Sequence, residues 1–155
     1  MDLFTDLPEG FEQISIPDKP AKGGWSIDIE QVAKATQLLG IELPIKIRYQ
    51  GKGIFTAGTH YIRPYMHFVA LLQTLPLDKA NKTLWHELAH AMQAERWSRE
   101  TGRDICSHYR EEYKVASGSW GFSYGGNRLE IEANGIAKAQ SHWKLLYGDY
   151  YASSS

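Results

Sequence analysis

Residues 85–93 read Trp-His-Glu-Leu-Ala-His-Ala-Met-Gln. His86 and His90 are four apart, so on a helix both imidazoles lie on one face, close enough to share a cation. Glu87 follows the first His and reaches a water on such an ion as a general base. Two imidazoles and an adjacent carboxylate suit zinc, which lowers the pKa of a bound water from 15.7 toward about 7. The chemistry indicated is hydrolysis by activated water. The competing account of the same residues is an amphipathic core helix with two hydrogen-bonded histidines. Six His and eleven Glu in 155 residues make the spacing rare by chance. Leu84, Leu88, Ala91 and Met92 around it give a helix that can be buried.

The spacing is the H-E-x-x-H pattern of zinc-dependent proteases. Zinc needs a third protein ligand and an open fourth position. Downstream stands Glu130-Ile131-Glu132-Ala133-Asn134. With this segment the sequence resembles the gluzincin metallopeptidases, in which a second helix gives a Glu ligand within Glu-x-x-x-Asp. The two segments together also look like small, phage- and bacterium-associated metallopeptidases. The resemblance covers only the two motif helices. It implies that Glu130 is the third ligand and that Asn134 takes the place of the carboxylate that orients a ligand His. Asn for Asp is a departure: the amide oxygen still accepts a His N–H but adds no charge. Glu132 and His108 compete for the third position. Glu130 and Glu132 point about 200° apart on a helix and cannot both face one ion. His108 would make an all-histidine site like that of SprT-like proteases but leaves the 130–134 segment unused. The family spacing favours Glu130. The competing role for Glu130 is a capping box with Asn127.

The resemblance implies one Zn²⁺, a peptide or protein substrate, Glu87 as base, and a further donor for the oxyanion. Tyr109, Tyr113, Tyr124 and His108 lie between the motif helices, and Tyr124 or His108 is the expected donor. In gluzincins an edge strand before the motif helix binds substrate by strand addition. Residues 66–72 occupy that place, and an ordinary buried strand is an equal reading of them. The second function class is a non-catalytic zinc-containing binding or regulatory protein, such as a phage-borne module. Glu87 argues against it, because a structural zinc site needs no base.

The elements that must position these residues follow from pattern. Asp28, with Gln31 three residues on, begins a helix over 28–39, and Gly40 closes it. Residues 43–49 alternate and read as a half-buried strand. Gly51-Lys52-Gly53 is a turn, 54–57 a second strand of a hairpin, 60–63 a third and 66–72 a fourth. Asp78 caps a helix that reaches Arg99, with Gly102 beyond it. A short helix is expected at 108–115, then a glycine-rich loop. Asn127 caps a last helix over 128–146. The expected class is α+β, a small antiparallel sheet packed on a zincin-type active-site helix and a C-terminal ligand helix. An irregular arm (1–24, with a short strand near 11–16), one domain (25–152) and a frayed tail (153–155) complete the organisation.

Composition bounds the rest. Hydrophobic residues are 43% and charged ones 23%, an ordinary globular balance. A net charge of −1 gives no global attraction to nucleic acid or a membrane surface. The dispersed Arg96, Arg99 and Arg103 read as a solvated helix face. One cysteine, Cys106, excludes an intrachain disulfide and a Cys-based zinc site. The start lacks the basic-then-apolar order of a secretory signal, and no apolar run approaches the ~20 residues of a membrane span. The expected setting is cytoplasmic, the host cytoplasm for a phage-encoded chain. Oligomeric state is not readable from the sequence.

Overall fold

A computed structural model describes residues 12–51, 56–116 and 126–148. Helix α1 (Ile29–Leu39) starts as the sequence predicts. The Asp28 carboxylate accepts from the Gln31 N–H at 3.3 Å, and Gly40 ends the helix at φ 70°. Gln31 does not complete a reciprocal capping box. Its side-chain oxygen instead accepts from the Trp143 indole at 2.7 Å.

Four strands form the main sheet: β1 (Ile14–Ser15), β3 (Ile45–Gln50), β4 (Gly58–Arg63) and β5 (Met66–Leu72), in the order β1-β3-β5-β4. The class is α+β, but the sheet is mixed rather than antiparallel. β1 and β5 both run parallel to β3, and only β4 and β5 pair antiparallel. The hairpin therefore lies between β4 and β5, around the two residues Pro64 and Tyr65, not between 43–49 and 54–57. Residues 54–55 of that expected second strand, with residues 52–53 of the turn, lie outside the described residues, and the strand that follows begins at Gly58. Burial accounts for the order. His67, Val69 and Leu71 of β5 are all fully buried, so this strand takes the inner position and leaves β4 at the edge. Part of the expected irregular arm, Ile14–Ser15, is a strand of this sheet.

The inner sheet face packs on α2 (Leu77–Thr101), the helix that carries the motif. Leu84, Trp85, Leu88 and Ala91 of α2 are fully buried in the same cluster as Ile45, Ile47, Val69 and Leu71. Each large side chain removed from water contributes about 1.5–3 kcal/mol. α2 begins two residues earlier than predicted. Pro76 is its N-cap, and Asp78 sits inside the first turn, 3.3 Å from the Lys144 ammonium. There its charge complements the helix N-terminus rather than capping it. Gly102 closes the helix at φ 72°. Arg96 and Arg99 are not a free solvated face. They pair with Glu132 at 2.7 Å and with Glu95 at 2.8 Å.

After α2 come a 3-10 turn (Ile105–Ser107), five residues of π-helix (Tyr109–Tyr113) and one α turn, α3 (Lys114–Ala116). Helix α4 (Arg128–Gln140) packs along α2. It stops six residues short of the expected Leu146 because α2 captures the chain beyond it. The Asn81 amide donates to the carbonyls of Ser141 and Trp143, its oxygen accepts from the Leu145 N–H, and the Trp85 indole donates to the Trp143 carbonyl. The chain then forms β6 (Leu146–Gly148), antiparallel to β2 (Trp25–Ile27). Among the described residues no helix is long and apolar enough to cross a membrane.

Candidate metal centre

α2 turns His86 and His90 to one side, as i,i+4 spacing requires. Their Nε2 atoms are 3.1 Å apart. Glu130, in the first turn of α4, brings Oε1 to 3.0 Å from His86 Nε2 and 2.7 Å from His90 Nε2. Three atoms of types that can ligate a metal thus form a nearly equilateral triangle. Tetrahedral zinc with bonds near 2.0–2.1 Å would hold such atoms roughly 3.3 Å apart. An outward adjustment of a few tenths of an ångström separates the two. Glu87 is 5% exposed, with Oε1 4.0 Å from His86 Nε2. It forms with the two histidines a group of potential ligand atoms all within 4.8 Å of one another.

The surrounding hydrogen bonds decide what the triangle is made of. Gln93 is fully buried, and its NH₂ donates to the Leu129 carbonyl and to Glu132, both at 2.8 Å. Its oxygen must therefore face His90 Nδ1, 2.8 Å away, and accept the proton there. Neutral His90 then carries its lone pair on Nε2, aimed at a carboxylate oxygen 2.7 Å away. Two acceptors at that distance need a proton or a cation between them. The Tyr113 hydroxyl donates to Glu130 Oε2 at 2.5 Å and fixes the carboxylate from its other side. This donor set, neutral imidazole plus oriented carboxylate with outer hydrogen bonds, fits zinc.

The electrostatics agree. Burial alone would lower the His90 pKa, but the Glu130 hydrogen bond and charge outweigh it and raise it. Burial alone would raise Glu130, but hydrogen bonds from His86, His90 and Tyr113 hold it well below the usual carboxylate range. Glu87 is pushed up, mainly by burial, partly offset by the two histidines. Burial drives His60 well below the ordinary histidine value, and burial with the carboxylates of Glu87 and Glu130 drives Tyr109 well above 10.

The structure brings four expected residues together: His86, Glu87, His90 and Glu130. Glu130 is not spent on a capping box. Asn127 caps α4 alone, accepting from the N–H groups of Leu129 and Glu130 at 2.8 and 3.3 Å. Glu132 lies on another face of α4, bound to Arg96 and Gln93, so its link to the site runs through Gln93. Asn134 lines the pocket, but the group that orients His90 is Gln93. His108 is fully buried against Trp97 and Tyr109 and does not line the pocket. Tyr124 lies outside the described residues. Gln93, Tyr113, Tyr109 and His60 surround the cluster in roles that no motif in the sequence signals. Gln93 alone had a legible signal, standing three residues after His90 on the same face.

The pocket beside the triangle measures about 550 Å³. Its walls include Gly58, His60, Thr83 and Tyr109 as well as the cluster. β5, the expected edge strand, is interior; the edge strand at the pocket is β4. Gly58 opens β4 where a Cβ would stand 2.7 Å from the Thr83 methyl, 3.1 Å from the Ala70 carbonyl and 3.3 Å from the Glu87 Cγ. Gly58→Ala is therefore expected to lower stability by about 1–3 kcal/mol, read by urea denaturation, since neither backbone nor buried helix yields easily.

His108 supplies a pH effect away from the triangle. Glu112 Oε2 is 3.1 Å from its Nδ1 but out of line with the N–H, and among the described residues neither ring nitrogen has a hydrogen-bond partner. Burial, with the charges of His90 and Arg96, lowers its pKa to about 4. The folded chain thus binds this proton more weakly than the unfolded one. The resulting stability is present above pH ~6.5 and is lost as pH falls toward 4. Between pH 7 and pH 4.5 the loss through this residue is about 2 kcal/mol. His108→Phe should flatten that part of a denaturation series across the same range.

Comparison of the chain with protein-family models, with curated proteins and with solved structures finds no match.

Proposed function

We propose that the chain is a gluzincin-like zinc peptidase. The observation that carries this reading is the triangle of His86 Nε2, His90 Nε2 and Glu130 Oε1, with no side longer than 3.1 Å and the His90 lone pair directed inward by Gln93. When bound, zinc would acidify water and polarise a carbonyl at this site. Glu87 supplies the base. Its buried carboxylate, with a pKa raised mainly by burial, takes the proton of the attacking water and returns it to the leaving amine. The β4 edge offers backbone groups to an extended peptide, and its Gly58, Thr59 and His60 lie on the pocket wall.

The test has two parts. Metal analysis of the purified protein is expected to give one zinc per chain. A degenerate fluorogenic peptide library should be cleaved, and a chelator should stop the cleavage until zinc is restored. Zinc without any chelator-sensitive cleavage would favour a non-catalytic zinc protein instead. Absence of stoichiometric zinc binding would remove both.

A further inference from the structure

A second buried network ends at the same pocket. Glu95 and His67 are fully buried, and Glu95 Oε2 lies 2.7 Å from His67 Nε2. His67 Nδ1 is 2.9 Å from His60 Nε2, and His60 Nδ1 is 2.5 Å from the Tyr109 hydroxyl. Four side chains from β4, β5, α2 and the π-helix thus form one unbranched line. His60 and Tyr109, its last two members, line the pocket beside His86 and Glu87.

The direction of the line is set at its far end. Glu95 Oε1 accepts from the Glu42 N–H at 2.7 Å and from the Arg99 guanidinium at 2.8 Å, and Oε2 accepts from the Leu43 N–H at 3.1 Å. None of these donors can act as an acceptor, so Glu95 accepts at every contact, and His67 must donate through Nε2. Arg99, shared with Glu42 at 3.4 Å, and two backbone N–H groups already stabilise the Glu95 charge, and a further proton on the fully buried His67 ring would bring a second cation into a low-dielectric interior. His67 is then neutral and accepts at Nδ1. His60 donates through Nε2 and accepts at Nδ1, and the donor it meets there is the Tyr109 O–H.

We infer that Tyr109 serves the pocket as a hydrogen-bond acceptor, its own proton committed to His60, and that it positions substrates through a backbone N–H. Glu95, His67 and His60 are positioning residues that act through it. The phenol is thereby excluded from the oxyanion-donor role open to tyrosines in this segment. The identity of the incoming donor rests on the peptidase reading; the direction of the proton does not.

The experiment separates the two. In metal-free protein with ¹⁵N-labelled histidine, long-range ¹H–¹⁵N spectra should show His60 and His67 protonated at Nε2 and bare at Nδ1. His60→Gln and His67→Gln assign the signals. A proton on His60 Nδ1, or on both nitrogens of His67, would reverse the line and overturn the inference. In Tyr109→Phe the His60 Nδ1 resonance should move toward its unbonded position while both tautomers persist. With a fluorogenic peptide that the wild-type protein cleaves, Tyr109→Phe should raise KM about tenfold and leave kcat within about threefold, the loss of one ground-state hydrogen bond. A fall in kcat of about 100-fold at unchanged KM would make Tyr109 a transition-state donor and overturn the acceptor role. If no peptide is cleaved at all, the peptidase reading fails, and the histidine spectra still decide the relay.

Discussion

Glu87→Gln is expected to retain one zinc per chain and to lower peptide hydrolysis by about 10²–10⁴-fold, the usual worth of a positioned general base. That is about 3–5 kcal/mol of transition-state stabilisation. The amide is isosteric with the carboxylate but cannot take the water's proton. His86, His90 and Glu130 form the triangle without Glu87, so metal binding should survive the change. Stability moves the other way. Burial raises the Glu87 pKa, so the folded chain binds this proton more tightly than the unfolded one, and the ionised group costs stability once pH exceeds the folded value. A neutral amide avoids that cost. The melting temperature of metal-free Glu87→Gln should equal or exceed that of the wild type. Activity lost with stability kept is the signature of a catalytic group. Unchanged hydrolysis in this variant would remove Glu87 from the mechanism.

Local signals in the chain were readable where the energetics are local. Asp28 and Gly40 bracket α1 because capping is decided by a few neighbouring backbone groups. The pairing of His86 with His90 follows from helix geometry alone. The family spacing points to Glu130, whose position beside the two histidines is set by Asn127. That residue caps α4 and also donates to the Tyr113 carbonyl at 3.1 Å, tying the helix start to the π-helix. Sheet order was not readable. Parallel pairing of β3 with β5 joins segments about twenty residues apart, and β4, nearer in sequence, is displaced to the edge by burial of His67, Val69 and Leu71. The end of α4 depended on Asn81, sixty residues away. The relay was hidden for the same reason. His60 and His67 carry no motif, and their partners Tyr109 and Glu95 come from elements that only the tertiary fold brings beside them.

Glu130→Ala should weaken zinc binding by more than about 100-fold, beyond the 10–100-fold typical of losing an outer hydrogen bond, because the proposed ligand itself is removed. A second readout distinguishes this from simple misfolding. In the wild-type protein Gln93 commits His90 to Nδ1–H, and the Glu130 carboxylate raises the His90 pKa. A proton therefore occupies His90 Nε2 over a wider pH range than in an ordinary histidine, and zinc must displace it. Titration calorimetry in two buffers of different ionisation enthalpy should show proton release on zinc binding near neutral pH, growing as pH falls. In Glu130→Ala the carboxylate that raises His90 is gone, and burial, which lowers it, remains. Proton release at a given pH should shrink along with the affinity. Glu132→Ala makes the complementary case. Among the described residues the Glu132 carboxylate bonds to Gln93 and Arg96, so its loss should leave zinc stoichiometry intact and cost at most about tenfold in affinity through a looser Gln93. Should Glu132→Ala abolish binding while Glu130→Ala spares it, the third ligand would be Glu132 and the triangle would not be the metal site.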